Sequence, residues 1–285
     1  MNNVIITTES CSDLPKELLD QHHIPIVAFG VNFPDHSVLD GEIPVSDIYD
    51  FYKKTRSIPK SNAVSPYQYT QFFEQVAEAN PNKEIIHIGY SSACSCSFQN
   101  AVIGADECVK AKVHLVDSLN VSGGLGNLTL KACQIVDENP NVNVEQILEM
   151  IRGFVPKIQT SFVPERMEFL VAGGRVSNTA ALGASIFKIK PRIDIIKGEL
   201  IAAKKYRGMM RQIMPAFVAD FCKDRNFDKS CAYIVYALGA QQSVLDEVKE
   251  CLQAEGFQKV LLFELGCVMT IHGGKGAIGI SATEI

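Results

Sequence analysis

Four short apolar runs punctuate the first half of the chain: Val4–Thr8 (VIITT), Ile24–Val31 (IPIVAFGV), Ile85–Tyr90 (IIHIGY) and Val113–Ser118 (VHLVDS). They favour β-branched residues and are too short for buried helices, so each predicts a buried strand. Between them, apolar positions recur at helical spacing. One helix start is explicit: Ser65-Pro66-Tyr67-Gln68 combines an N-cap serine, a proline at the first helical position and a glutamine that closes a capping box. Strand–helix alternation of this kind predicts a parallel sheet with helices on both faces.

The pattern changes in the second half. Pro191–Arg207 (PRIDIIKGELIAAKKYR) reads as a hairpin turning at Lys197-Gly198, and a helix follows over Met209–Cys222. Then come a strand at Ala232–Gly239, a helix near Ser243–Gln253, and strands at Val260–Gly266 and Ala277–Ile285. The expected fold is α/β: an N-terminal three-layer α/β/α domain with a parallel sheet over residues 1–158, and a C-terminal α/β domain with a mixed sheet over 159–285. The join is expected between Pro156 and Pro164.

Composition narrows the function. The chain has 285 residues, 47% apolar and 21% charged, which suits an ordinary globular protein. No apolar run reaches the ~18 residues of a membrane span, and MNNVIITTES lacks the basic and apolar regions of a signal peptide. Nine cysteines without a Cys-x-x-Cys pair suggest reduced thiols in a cytoplasmic protein. Cys94 and Cys96 alone do not make a zinc site, so no metal is expected. The net charge of −5 divides unevenly: ten basic and nineteen acidic residues through Val155, then seventeen and thirteen. Eight basic residues fall within Lys188–Arg211, either a solvated face or a surface that steers an acidic partner. The acidic total and the lack of a recognition motif disfavour nucleic acid.

Ligands of open parallel sheets bind beyond the carboxyl ends of the strands. Ser91–Ser97 (SSACSCS) follows such a strand and precedes a helix, with four serines in seven residues. Hydroxyls beside a helix N-terminus suit a carboxylate or phosphate, while a single serine would serve as a cap. Thr7–Asp13, Asp117-Ser118 and Ser61–Ser65 are further candidate loops. His272-Gly273-Gly274-Lys275-Gly276 lacks the spacing and final Ser/Thr of a phosphate loop. It and Gly173-Gly174-Arg175 are either tight turns or places where His272 and Arg175 reach a ligand.

Taken in order, these motifs resemble the DegV family, and in particular the fatty-acid-binding subunits of bacterial fatty acid kinase. Thr7–Asp13 resembles the family's T-D-S-x-x-D with Glu9 in place of Asp, and Pro59–Ser65 loosely matches P-x-T-S-Q-P-S. Ser91–Ser97 matches S-S-x-L-S-G-T, and Val116-Asp117-Ser118 with Gly123 and Gly126 matches the V-D-S element. Gly173–Ser177, Ile189-Lys190-Pro191 with Lys197-Gly198, and His272–Gly276 complete the series. The resemblance implies two α/β domains with a long-chain fatty acid between and within them, no cofactor, and a non-catalytic carrier that presents the carboxylate to a separate ATP-dependent kinase. It implies carboxylate contacts from Ser61, Ser95 and His272, with Asn62 adjacent, Arg175 in the polar network and Cys96 at the position of a family glycine. Burying about 14–16 methylenes is worth roughly 11–13 kcal/mol before association costs, and the run Ala180–Phe187 offers small and apolar side chains to line a tunnel. Lys204, Lys205, Arg207 and Arg211 are the expected partner-docking residues, and a monomer is expected.

A competing reading is a serine hydrolase. Gly89-Tyr90-Ser91-Ser92-Ala93 approaches G-x-S-x-G, and Ser91, Asp117 and His272 follow hydrolase order. Ala93 replaces the final glycine, and no oxyanion motif follows an earlier strand. A third reading, an interaction module built on the basic hairpin, leaves the hydroxyl loops unexplained.

Overall fold

The computed structural model describes residues 3–176 and 189–285. The first half runs β1 (Val4–Glu9), α1 (Lys16–Gln21), β2 (Ile26–Val27), β3 (Gly30–Asn32), β4 (Ser37–Leu39), α2 (Ser46–Thr55), β5 (Lys60–Asn62), α3 (Pro66–Ala79), β6 (Glu84–Gly89), α4 (Ser97–Glu107), β7 (Val113–Asp117), α5 (Gly123–Glu138) and α6 (Val144–Phe154). The second runs β8 (Ile158–Val163), α7 (Met167–Gly173), β9 (Lys190–Ile196), β10 (Glu199–Tyr206), α8 (Met210–Cys222), β11 (Phe227–Tyr236), α9 (Gln242–Ala254), β12 (Lys259–Glu264), α10 (Cys267–Gly273) and β13 (Ile278–Glu284).

A four-stranded sheet of order β2-β1-β6-β7 is parallel throughout. A six-stranded sheet of order β10-β9-β8-β13-β11-β12 is antiparallel except for β11 and β12, which α9 connects as a crossover. The expected fold class is therefore present, a parallel sheet followed by a mixed one. Local signals act where they were read. Ser65 caps α3 with both halves of the capping box formed. Lys197 and Gly198 both take positive φ, 50° and 86°, the backbone that a two-residue hairpin turn of matching twist requires.

Four segments differ from the sequence reading. Ile24–Val31 is not one strand: β2 joins the parallel sheet, whereas β3 turns away to pair antiparallel with β4 and β5. Ser61 and Asn62, read as loop, belong to β5. The expected join near Pro156–Pro164 contains β8, an interior strand flanked by β13 and β9. Its Thr160 and Ser161 are buried because Ser281 and Asp194 satisfy their hydroxyls, which disguised the strand in an apolar-run search. Finally, His272 does not sit in a turn between strands but in the last turn of α10.

Helix α5 lies between the two sheets. Gly123–Thr129 are all buried, and the helix packs on β1 and β6 on one side and on β8, β11 and β13 on the other. Glycine permits this approach. A Cβ at Gly123 would stand 2.3 Å from Val235 Cγ1, and one at Gly124 would stand 2.0 Å from Asn120 Oδ1 and 2.3 Å from Thr160 Oγ1. One apolar core runs from Ile6 and Ile86 through Leu125 to Val235 and Phe263. Alternate residues of β11, Ala232 and Ile234, face a second core with Phe217, Phe221 and Val248 of α8 and α9.

Gly124→Ala should therefore lower unfolding stability by about 1–3 kcal/mol through overpacking, despite the better helix propensity of alanine. Gly153→Ala in α6 meets nothing within 4 Å and should be neutral or stabilising by up to about 1 kcal/mol. Urea midpoints of the two variants check the contrast.

Candidate functional site

Strand alternation sets the first contact. In β5, Ser61 is half-buried while Lys60 and Asn62 are exposed. Helix α10 packs across α2, β3 and β5, and its last turn brings His272 Nε2 to 2.8 Å from Ser61 Oγ. The start of α10 is fixed from the first half as well. Asp13, in the turn after β1, accepts from the Gly266 N–H at 2.8 Å, and Asp40 accepts from the Cys267 N–H at 2.8 Å. Ser122, just before α5, also donates to Asp13. Burial pushes the Asp13 carboxyl up to about 8 and raises that of Asp40.

His272 lines a concave, mostly apolar pocket with a few polar groups on its lining, the general character of a small-molecule site. Its walls are mostly apolar, with Phe162, Val235 and Ile278 from the mixed sheet and Val121 and Leu265 from connections. Arg175, His272, Ser122 and Thr160 are polar groups on the lining. Burial, helped by the Arg175 charge, holds the His272 imidazole down at about 4, so it is neutral at physiological pH. Its Nδ1 is buried and has no hydrogen-bond partner among the described residues. Gly173 keeps space beside that atom, since a Cβ there would lie 2.6 Å from it. Arg175 is exposed and bonds back to the Gly173 carbonyl at 2.6 Å, which sets the guanidinium at the rim.

The serine-rich loop approaches the same region through the hairpin tip. Ser91 Oγ donates to the Gly198 carbonyl at 2.8 Å, and Cys94 Sγ reaches the same oxygen at 3.0 Å. A Cβ on Gly198 would stand 2.4 Å from Ser91 Oγ, so glycine is needed here for packing as well as for its φ. The Arg175 charge also acts on Cys94, although burial dominates and pushes that thiol up to about 11.

The family follows from the whole chain. A family model described as an uncharacterised protein of the DegV family matches residues 3–284. The chain belongs to the DegV family. DegV domain-containing proteins of Clostridium acetobutylicum and Caldanaerobacter subterraneus are 28% and 26% identical to it, covering 99–100% of each relative and 100% of this chain. Among solved structures, a DegV family protein from Thermus thermophilus described by its fatty acid binding is similar at a TM-score of 0.85 and 23% identity, with complete coverage of both chains. DegV of Bacillus subtilis, described as a fatty acid binding protein, is similar at 0.83 and 20%, again over both whole chains.

Within this DegV chain the sequence-derived site residues separate. His272 and Arg175 line the cavity, and Ser61 joins them through His272. Ser95 is half-buried and its hydroxyl accepts from the Ser97 N–H at 3.2 Å, a local bond just before α4. Cys96 is exposed at the N-cap of α4, and Asn62 faces away from Ser61 on β5. The run Ala180–Phe187 lies outside the described residues. The proposed hydrolase relay has other partners: Ser91 bonds Gly198, Asp117 accepts from the Ser92 and Leu119 N–H groups, and His272 bonds Ser61.

The basic residues lie elsewhere. Gly198 is at the serine loop, but Lys204 is six residues further along β10, roughly 20 Å away, with Arg207 and Arg211 beyond. Lys204 is paired with Asp220, and Arg211 lies 3.9 Å from Glu247. Sequence reasoning missed Tyr90 and Leu200 as lining residues, although Tyr90 directly precedes the serine run.

The depressed His272 value carries a sign. Its folded value lies below the unfolded value of about 6.5, so as pH falls from about 6.5 to 4 the unfolded chain gains a proton that the folded chain refuses. Its contribution is complete above pH 6.5 and is lost across that window, by up to about 3 kcal/mol. His272→Gln should flatten the stability–pH curve there relative to wild type, and denaturant titrations at pH 4, 5, 6 and 7 measure it.

Proposed function

We propose that this protein binds a long-chain fatty acid in the cavity, with the carboxylate beside His272, Arg175 and Ser61. The observation that carries the reading is a neutral, buried imidazole with one nitrogen engaged by Ser61 and the other without a partner among the described residues, in an apolar cavity beside a guanidinium at the rim. With Ser61 donating to Nε2, the proton resides on Nδ1, which becomes an oriented donor. Arg175 supplies the positive charge, and the apolar walls accept an acyl chain. Ser95 accepts from Ser97 N–H, so its own O–H is left to donate to the same carboxylate. Related folds described as fatty-acid-binding support the assignment. The further role is that of a carrier without chemistry of its own, which hands the carboxylate to a separate ATP-dependent kinase. Arg175, Lys197 and the exposed part of the serine loop are the surface nearest the carboxylate in that exchange.

Affinities for hexadecanoate and hexadecanol test this. The acid should bind more tightly to wild type. Arg175→Gln should weaken hexadecanoate roughly ten- to a hundredfold, the worth of a hydrogen bond to a charged group, and Ser61→Ala, which removes the donor that fixes the His272 tautomer, should weaken it by less; both should leave hexadecanol within about twofold. Equal affinity of wild type for acid and alcohol would remove the carboxylate site.

A further inference from the structure

Glu9 is fully buried and does not line the cavity at His272. Its carboxyl group collects donors from two other elements. Tyr90 N–H donates to Oε2 at 2.7 Å. Tyr69 O–H donates to Oε1, and Ser97 Oγ lies 2.8 Å from the Tyr69 oxygen, so a Ser97–Tyr69–Glu9 chain forms in which each hydroxyl donates onward. Tyr69 and Ser97 are also fully buried, and His87 Nε2 stands 3.7 Å from Oε1.

The position of these donors gives the arrangement its meaning. Tyr90 N–H opens the serine-rich loop and Ser97 closes it, so one carboxyl group holds both ends of the segment that contains Ser91 and Ser95. Tyr90 is itself on the cavity lining. Tyr69 is in the first turns of α3, the helix that β5 and Ser61 lead into. Four residues beyond Glu9, Asp13 holds the start of α10, which ends at His272. The end of β1 and the turn after it thus bond the serine-rich loop, α3 and the start of α10.

We propose that Glu9 is a positioning residue that sets the head-group selectivity of the site by fixing the Tyr90–Ser97 loop against α3. The proposal rests on the fatty-acid reading above. Glu9 does not line the cavity; it holds the loop that carries Ser95 and that begins at Tyr90, a residue of the cavity lining. Loss of its bonds frees the loop, so oriented donors are lost while the apolar walls remain.

The test compares hexadecanoate with hexadecanol on purified full-length variants. In wild type the acid-to-alcohol affinity ratio first establishes whether a carboxylate site exists; a ratio near one defeats the fatty-acid reading and this proposal with it. Given a wild-type preference, Glu9→Ala should reduce that ratio about tenfold with hexadecanol affinity within twofold. Glu9→Gln should restore part of it, because its amide still accepts from Tyr90 N–H and donates to Tyr69. Tyr69→Phe keeps the aromatic contacts with Phe73 and His87, should lower the ratio at least threefold, and decides the matter if Glu9→Ala does not fold. A ratio unchanged in Tyr69→Phe, or acid and alcohol weakened equally in any folded variant, would overturn the positioning role.

Discussion

Everything else in this molecule depends on a helix that is covered on both sides. Helix α5 serves as the inner layer of the parallel sheet and of the mixed sheet at once, so the two halves share a core. The constraint is steric: three glycines in its first turn let Val235, Thr160 and the Ser12 carbonyl come within distances no side chain would allow. The contact is also polar. Asn127 of α5 bonds Ser281 and Thr283 of β13, and Thr160 bonds Ser281, so buried side chains on the two surfaces satisfy each other. Because unpaired polar groups in such a setting are costly, these pairs select one register of helix on sheet.

The cavity sits at the end of this shared layer, beside Val121 and Ser122, where helix and sheets diverge. Its lining therefore draws on both halves. Two buried carboxyl groups from the first half hold one end of α10, and a serine from the first half meets the other. A short helix tied at both ends keeps His272 in place without a long segment of its own. The desolvation that keeps the imidazole neutral is a consequence of the same enclosure.

The parallel sheet, the capped helix and the hairpin were legible because each is written in local terms: β-branched runs, a capping box, a turn that needs positive φ. The strands missed were those whose inward residues are polar. Thr160 and Ser161 in β8 and Ser61 in β5 point inward because distant partners satisfy them, and no window of sequence contains both partners. The same holds for the site. His272 and Arg175 stood out beside glycines, but only the fold shows that Asn62 alternates outward and that the Ser95 hydroxyl bonds locally to the Ser97 N–H. Glu9 looked like a motif variant; its role is set by Tyr69 and Tyr90, 60 and 81 residues away.

Among the described residues, strand β10 is one edge of the six-stranded sheet, bridged near its start by Val176 to Leu200. An edge presents unpaired backbone groups on which another chain could add a strand, and lysines there discourage such addition. Lys204 and Lys205 stand exposed on that edge, just past an irregularity in pairing between Ala202 and Lys204. The basic stretch, so conspicuous in the sequence, thus sits where its lysines disfavour strand addition to that edge.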